Sequence, residues 1–319
     1  MDDSVASLIH VGLESEWEVA GVGPHATVVA REDSVGVLGL DGEVEVVVEG
    51  GVVGREGGRG MWPKATRNQV LAVAGDRRGI VVASLGEEED EMTVASVALP
   101  ESAGEIVQLE VGLDHALVRT CDSAVWSLGR GTDGQLGCGK EIMGSHAAFV
   151  PVHSLPPGVK RVMAGGDVSA AVTDAGALYL WGNDEYAQCL TGDRVFSVVS
   201  PRLAPSPMDA SVSDVVLGTH HGLARVQDGE EGRVVTWGWG PDIGSVAVAP
   251  TSPPHPTLPP LARPLAAGSN VSLFEGETHL FLHTCYGVAT LPRVYDSLPF
   301  KTSFLGPDRL ILEFSREPE

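Results

Sequence analysis

Positive charge is scarce in this chain, and so are aromatic side chains and cysteine. Lys and Arg number 21 against 43 Asp and Glu, which sets the formal net charge at −22 at pH 7. A balance this acidic argues against direct binding to nucleic acid or to an anionic membrane surface, because both attract cationic proteins. Long apolar runs are missing too: none approaches the roughly 18 residues that a membrane-crossing helix needs. The opening MDDSVASLIHVGLESEWEV has neither the basic start and apolar stretch of a secretory leader nor the arginines of an organelle presequence. The four cysteines, Cys121, Cys138, Cys189 and Cys285, form no CxxC pair, so zinc ligation and thiol redox chemistry find no support. The expectation is a cytoplasmic or nuclear protein with free thiols. Enzyme signatures are likewise missing: GxSxG, HExxH and GxxxxGK with a following Ser or Thr do not occur. GREGGRG is not set between a strand and a helix as a phosphate loop must be. No catalytic residue, metal site or cofactor is expected.

What the chain does have is turn formers and short apolar runs. Gly accounts for 40 of 319 residues and Pro for 21, while 43% are hydrophobic and aromatics make up 5%. That composition excludes a helical bundle and points to an all-β fold of many short strands. A motif, small-Gly-x-x-His-small-apolar with substitutes for the His, recurs along the whole sequence. It reads VGPHATVV at Val22, AGDRRGIVV at Gly75, VGLDHALV at Gly112, AGGDVSAAV at Gly165, LGTHHGLA at Gly218 and AGSNVSLF at Gly268. The intervals are 53, 37, 53, 53 and 50 residues. A second motif keeps the same step, pairing VWSLGRGTDGQLGCG (Val125–Gly139) with LYLWGNDEYAQCLTG (Leu178–Gly192) at an offset of 53. Units of this length, each with several short strands, are the signature of propeller blades, which bury their faces only by stacking on neighbours.

These residues resemble the regulator-of-chromosome-condensation propeller repeat, best between Ile106 and Gly240. The resemblance implies a single β-propeller over residues 1–319, with six apparent repeats and therefore six or seven blades. It also implies one of two functions. The first is a non-enzymatic scaffold or adaptor that holds a protein partner in a regulatory or modification complex. The second is a guanine-nucleotide exchange factor for a Ran-like small GTPase, which would then be the partner. The acidic N-terminus does not resemble the basic chromatin-binding tail of the family archetype, and the scaffold is the favoured reading.

Candidate partner-binding residues lie in two places. The first is a Gly-rich basic loop insertion over 50–68, with Arg55, Arg59, Lys64 and Arg67 around Trp62 in an otherwise acidic chain. A basic-aromatic loop of that kind suits an acidic partner surface. The second is Trp239, an extra aromatic after the expected Trp-Gly, with Asp242 where the chain should turn onto a loop face. A Pro-rich loop is expected over 250–260 and a solvated acidic turn over Glu87–Glu91. His25, His115 and His221 occupy one recurring point that Arg78, Val168 and Val271 fill elsewhere. Their expected role is structural, with the imidazole hydrogen-bonded to a neighbouring blade's backbone, and Trp181 and Trp237 are read as blade packing. The apolar runs Val5–Val11 and Arg309–Phe314 are expected to pair and tie the chain ends together.

Overall fold

The computed structural model describes residues 8–11, 26–31, 34–39, 43–48, 51–57, 60–65, 69–85, 92–192, 195–205, 211–228, 231–239, 247–251, 263–267, 271–275, 279–284, 287–292, 300–305 and 309–314. After β1 (Leu8–Val11) come two four-stranded sheets. One holds β2 (Ala26–Arg31), β3 (Ser34–Gly39), β4 (Glu43–Val48) and β5 (Gly51–Gly57); the next holds β6 (Gly60–Ala65), β7 (Gln69–Ala74), β8 (Gly79–Leu85) and β9 (Met92–Ala98). Four more follow in strict order. They are β10 (Ile106–Val111), β11 (His115–Thr120), β12 (Val125–Arg130) and β13 (Ser145–Pro151); then β14 (Val159–Gly165), β15 (Val168–Thr173), β16 (Leu178–Asn183) and β17 (Ser197–Leu203). Next are β18 (Ser211–Leu217), β19 (His221–Asp228), β20 (Glu231–Gly238) and β21 (Ala247–Thr251); then β22 (Arg263–Ala267), β23 (Val271–Glu275), β24 (His279–Thr284) and β25 (Gly287–Pro292). The last strands, β26 (Phe300–Leu305) and β27 (Arg309–Phe314), join β1 in a three-stranded sheet. Every pairing is antiparallel between neighbours, and a 3-10 turn at Lys140–Ile142 is the only helical element among the described residues.

The described residues thus form seven sheets, one more than the six repeats in the sequence. The span read as one domain divides by compactness into two units, Pro100–Arg293 and the pair Met1–Leu99 with Val294–Glu319. In the first of these the repeat keeps its phase: Gly165 is the last residue of a first strand, and Gly112 and Gly218 directly follow one. In the other unit the phase slips. The first motif copy precedes β2, at the start of its sheet, and the Gly75 copy lies between β7 and β8, the second and third strands. That slip accounts for the irregular 37-residue interval.

Within Pro100–Arg293, the second strands β11, β15 and β19 lie between two packed faces and are largely buried on both. β15 is buried along its full length and can be so because it is built from Val, Ser, Ala and Thr. The core runs through three sheets, from Leu117 and Val125 through Val162, Val172 and Leu180 to Val215, Ala224 and Val235. Each such Val or Leu contributes about 1.5–3 kcal/mol of burial. Successive sheets meet along their first strands, β10 against β14, β14 against β18 and β18 against β22. Polar clamps fix those seams. Gln108 grips the backbone of Val162 from both sides, donating from Nε2 to its carbonyl (2.8 Å) and accepting its N–H at Oε1 (3.1 Å). Arg161 pairs with Asp214 across the next seam.

Two expected loops are strands. The segment 50–68 supplies β5 and β6, with Arg55 opposite Glu45 of β4 and Lys64 opposite Leu71 of β7. Backbone pairing with the valine-rich β4 and with β7 outweighs the glycine content that suggested a loop. The segment 250–260 begins inside β21, where Thr251 pairs with Thr236; Pro250 is tolerated there because the strand is the last of its sheet. The rest of that segment, and Glu87–Glu91, lie outside the described residues.

The expected pairing of the chain ends is present, with Leu8 opposite Glu313 and Val11 opposite Leu310. β27 is the central strand of its sheet, between β1 and β26. Deleting residues 305–319 removes it and exposes two unpaired strand edges. The truncated protein should melt well below the parent and aggregate on heating, as scanning calorimetry with light scattering would show; melting within a degree or two would contradict the role assigned to β27.

Candidate functional site

At one end of the three sheets β10–β13, β14–β17 and β18–β21, the turn between the first two strands lies beside the start of the segment that follows the third strand. The Trp-Gly motif shapes this end. Gly129, Gly182 and Gly238 close the third strands of three successive sheets in the left-handed region, at φ 102°, 110° and 85°. A Cβ there would lie 2.3–2.5 Å from the carbonyl oxygen of Asp114, Asp167 or His220, so a side chain is excluded as well as the backbone angle. The next residue then donates its N–H to that same carbonyl: Arg130 to Asp114, Asn183 to Asp167 and Trp239 to His220, all at 2.8–2.9 Å.

The loops after β12 and β16 each reach onto the following sheet. The Gln135 carbonyl, in the first such loop, accepts the indole N–H of Trp181 (2.9 Å) and the Ser169 hydroxyl (2.8 Å). One sheet later the Gln188 carbonyl accepts the indole N–H of Trp237 at 2.7 Å. Gln135 Nε2 also donates to Asp167 at 3.1 Å. The paired glutamines of the sequence offset are therefore the pegs that hold these loops, a role the sequence reading did not assign. The signal was there, in the shared offset of Gln135 and Gln188. Asp184 performs a related task inside its own loop: its carboxylate accepts the Cys189 N–H at 2.7 Å and the Thr191 hydroxyl. Burial pushes its pKa up, and those hydrogen bonds oppose the shift.

The recurring histidines are structural, but their partner differs from the expected backbone. His115 Nε2 meets Ser169 Oγ at 2.8 Å in the next sheet, and His221 Nε2 meets Ser272 Oγ at 3.0 Å. Because the Ser169 proton is committed to the Gln135 carbonyl, His115 must donate from Nε2, and its Nδ1 is left without a partner. Where Val168 replaces the histidine, Gly222 replaces the serine in the following sheet, so clasp and partner disappear together. Trp181 and Trp237 are fully buried, as their packing role requires.

The chemistry presented at this end is apolar and acidic. The described large hydrophobics that stay exposed are Met143, Phe196, Leu203 and Trp239. Three of them, Met143, Phe196 and Trp239, belong to the loops after the third strands of three successive sheets. Trp239 stands 40% exposed in a trio of rings. Its centroid lies 5.9 Å from Tyr186 and 5.7 Å from His220, and Tyr186 meets His220 edge-on at 4.8 Å. Burial lowers the His220 pKa, and the charge of Glu185 pulls it back in part. The same turns and loops carry Asp114, Asp133, Glu141, Asp167, Asp184 and Glu185; the described cations facing them are Lys140 and Arg130 at the end of β12, the latter 3.6 Å from Asp114.

Of the sequence candidates, Trp239 is at this site. Arg55 is on β5, and Trp62 and Lys64 are on β6, two strands of different sheets in the other compact unit. Arg59, Arg67 and Asp242 lie outside the described residues, as does His25. No group of three or more His, Cys, Asp or Glu able to hold a metal occurs among the described residues, and Cys121, Cys138 and Cys189 are free thiols.

Residues 122–172 match the family model of the regulator of chromosome condensation (RCC1) repeat. Over 156 residues the chain is 31% identical to the mouse RCC1-like G exchanging factor-like protein, covering 47% of this chain and 33% of that protein. It is 33% identical over 138 residues to the Arabidopsis ultraviolet-B receptor UVR8, covering 42% and 29%. The matches span about a third of the length of these relatives. The structure of human WBSCR16 superposes with a TM-score of 0.72 at 17% identity, covering 93% of this chain and 88% of that one. That of Prp20p from Saccharomyces cerevisiae, described with its binding to Gsp1p and histones, gives 0.67 at 16% identity, covering 92% and 83%. The likeness shows the fold, a β-propeller.

Proposed function

We propose, for a chain that belongs to the RCC1-like repeat family, a non-enzymatic role as a protein-binding propeller that docks its partner on the loops after the third strands. One observation carries this reading: among the described residues, three of the four exposed large hydrophobics fall in those loops, one on each of three successive sheets. Scattered singly, such residues would need no explanation; placed repeatedly at the same end, they form a surface suited to burial against another protein. The loops carrying Met143 and Phe196 are also pegged by Gln135 and Gln188 onto the following sheets, so a partner would meet a preformed surface there at little ordering cost.

A second reading, nucleotide exchange on a Ran-like GTPase, is favoured by the names of relatives. Two are exchange factors by name, the mouse protein above and the bovine secretion-regulating guanine nucleotide exchange factor. Release of labelled GDP from a Ran-like GTPase separates the two. With the scaffold reading the rate stays at its intrinsic value at saturating protein; an acceleration of about a hundredfold or more would make the protein an exchange factor. In either case Phe196→Ala and Trp239→Ala should weaken partner binding by about tenfold or more while leaving the melting temperature nearly unchanged.

A further inference from the structure

The aromatic trio and its charge surroundings define what kind of partner segment fits. Three features meet at one place. Trp239 exposes its ring, with Tyr186 and His220 packed against it from the neighbouring loop and turn. Glu185, exposed and adjacent to Tyr186 in the chain, is close enough for its charge to act on the His220 imidazole. Asp133 and Asp167, in a loop and a turn of the two preceding sheets, add negative charge at the same end, while Asp114 there is paired with Arg130. An indole face attracts a cation, and a carboxylate beside it sets the direction from which that cation enters. An ammonium satisfies the charge alone. A guanidinium also stacks flat on the ring and presents a planar fork to the carboxylate.

We infer that the Tyr186–His220–Trp239 cluster, with Glu185, docks an arginine side chain from a cationic segment of a partner protein. The inference rests on the docking reading above and names the chemistry of its occupant. Arginine stacks over Trp239 and pairs with Glu185, while apolar residues of the same segment lie along Phe196 and Met143. Nucleic acid and anionic membrane are excluded as occupants by the sign of the field.

The test uses the full chain and three synthetic peptides of equal length, each with invariant Leu and Ser positions and with Arg, Lys or Gln at the variable ones. Binding is read by fluorescence anisotropy at physiological salt. The Arg peptide should bind about tenfold more tightly than the Lys peptide, and the Gln peptide should bind most weakly. Trp239→Ala and Glu185→Gln should each lower Arg-peptide affinity by about tenfold, whereas Asp122→Asn, in a turn at the opposite end of its sheet, should leave it unchanged. Equal affinity for Arg and Lys peptides, or Arg binding indifferent to Trp239→Ala, overturns the inference. If the Gln peptide binds as well as the others and Trp239→Ala abolishes all three, the surface docks proteins without selecting arginine. If neither Trp239→Ala nor Phe196→Ala alters any peptide, the docking reading falls as well.

Discussion

Replacing Trp181 by Ala should destabilise the protein by about 3–5 kcal/mol, the range for removing a fully buried Trp. At this chain length that corresponds to a fall of about 10 °C in melting temperature. The ring is 0% exposed and sits where three elements meet: its own β16, the facing β15 and the loop arriving from the preceding sheet. That loop makes room for it with a glycine. A Cβ on Gly137 would lie 2.6 Å from the indole nitrogen, so the contact was already as close as the backbone allows. Truncation opens a cavity too confined to collapse and removes the donor to the Gln135 carbonyl, leaving that oxygen with Ser169 alone. The loop 131–144 should then loosen, and limited proteolysis should cut there before global melting. Trp181→Phe keeps most of the ring and loses the N–H, so it should cost about 1–2 kcal/mol. Trp239→Ala, at the surface, serves as the comparison with little effect. A Trp181→Ala protein that melts within two degrees of the parent would remove the loop-to-sheet peg from the account.

Acid should unfold the protein through His115 well above the pH at which exposed carboxylates titrate. The imidazole is fully buried, and burial lowers its pKa from 6.5 to about 3. In the unfolded chain the same group takes up a proton below about 6.5. Between those values the unfolded state binds more protons than the folded one, so stability falls as the pH falls. The contribution of neutral His115 is complete above pH 6.5 and declines by about 1.4 kcal/mol per unit towards pH 3, about 5 kcal/mol in all. The geometry gives the same sign: Nδ1 has no partner to receive a charge, and Nε2 already donates to Ser169. His115→Val, the residue that Val168 supplies at the equivalent point of the next sheet, cannot charge. Its melting temperature should be lower than the parent's at pH 7, for loss of the clasp, yet should fall less steeply between pH 6.5 and pH 4. Parallel slopes for the two proteins over that interval would show that His115 is not the acid-sensitive group.

Much of this molecule is local information repeated. The all-β class, the blade-length period and the burial of Trp181 and Trp237 were legible because each depends on short-range patterns: turn residues, β-branched runs and a fixed interval between them. The order of four strands inside each sheet of Pro100–Arg293 follows the same logic, since every strand pairs with its neighbour in the chain. Tertiary structure decided the rest. A seventh sheet appears because β1 pairs with β27 across nearly the whole sequence, and neither strand carries the repeat motif. Arg55, Trp62 and Lys64 were grouped as one basic loop because glycine reads as a breaker, whereas pairing with β4 and β7 makes their segments strands of separate sheets. The histidine clasp was recognisable as structural, but its partner was not, because Ser169 lies 54 residues away and is chosen by how one sheet packs on the next. Trp239 could be singled out as an extra aromatic. Its neighbours Tyr186 and His220 could not, since the three rings come from three different loops and turns. A repeat sequence specifies its repeat and its period through contacts within reach of the chain, while the seams between sheets, where the histidine clasp and the Tyr186–His220–Trp239 rings both lie, exist only once the sheets are stacked.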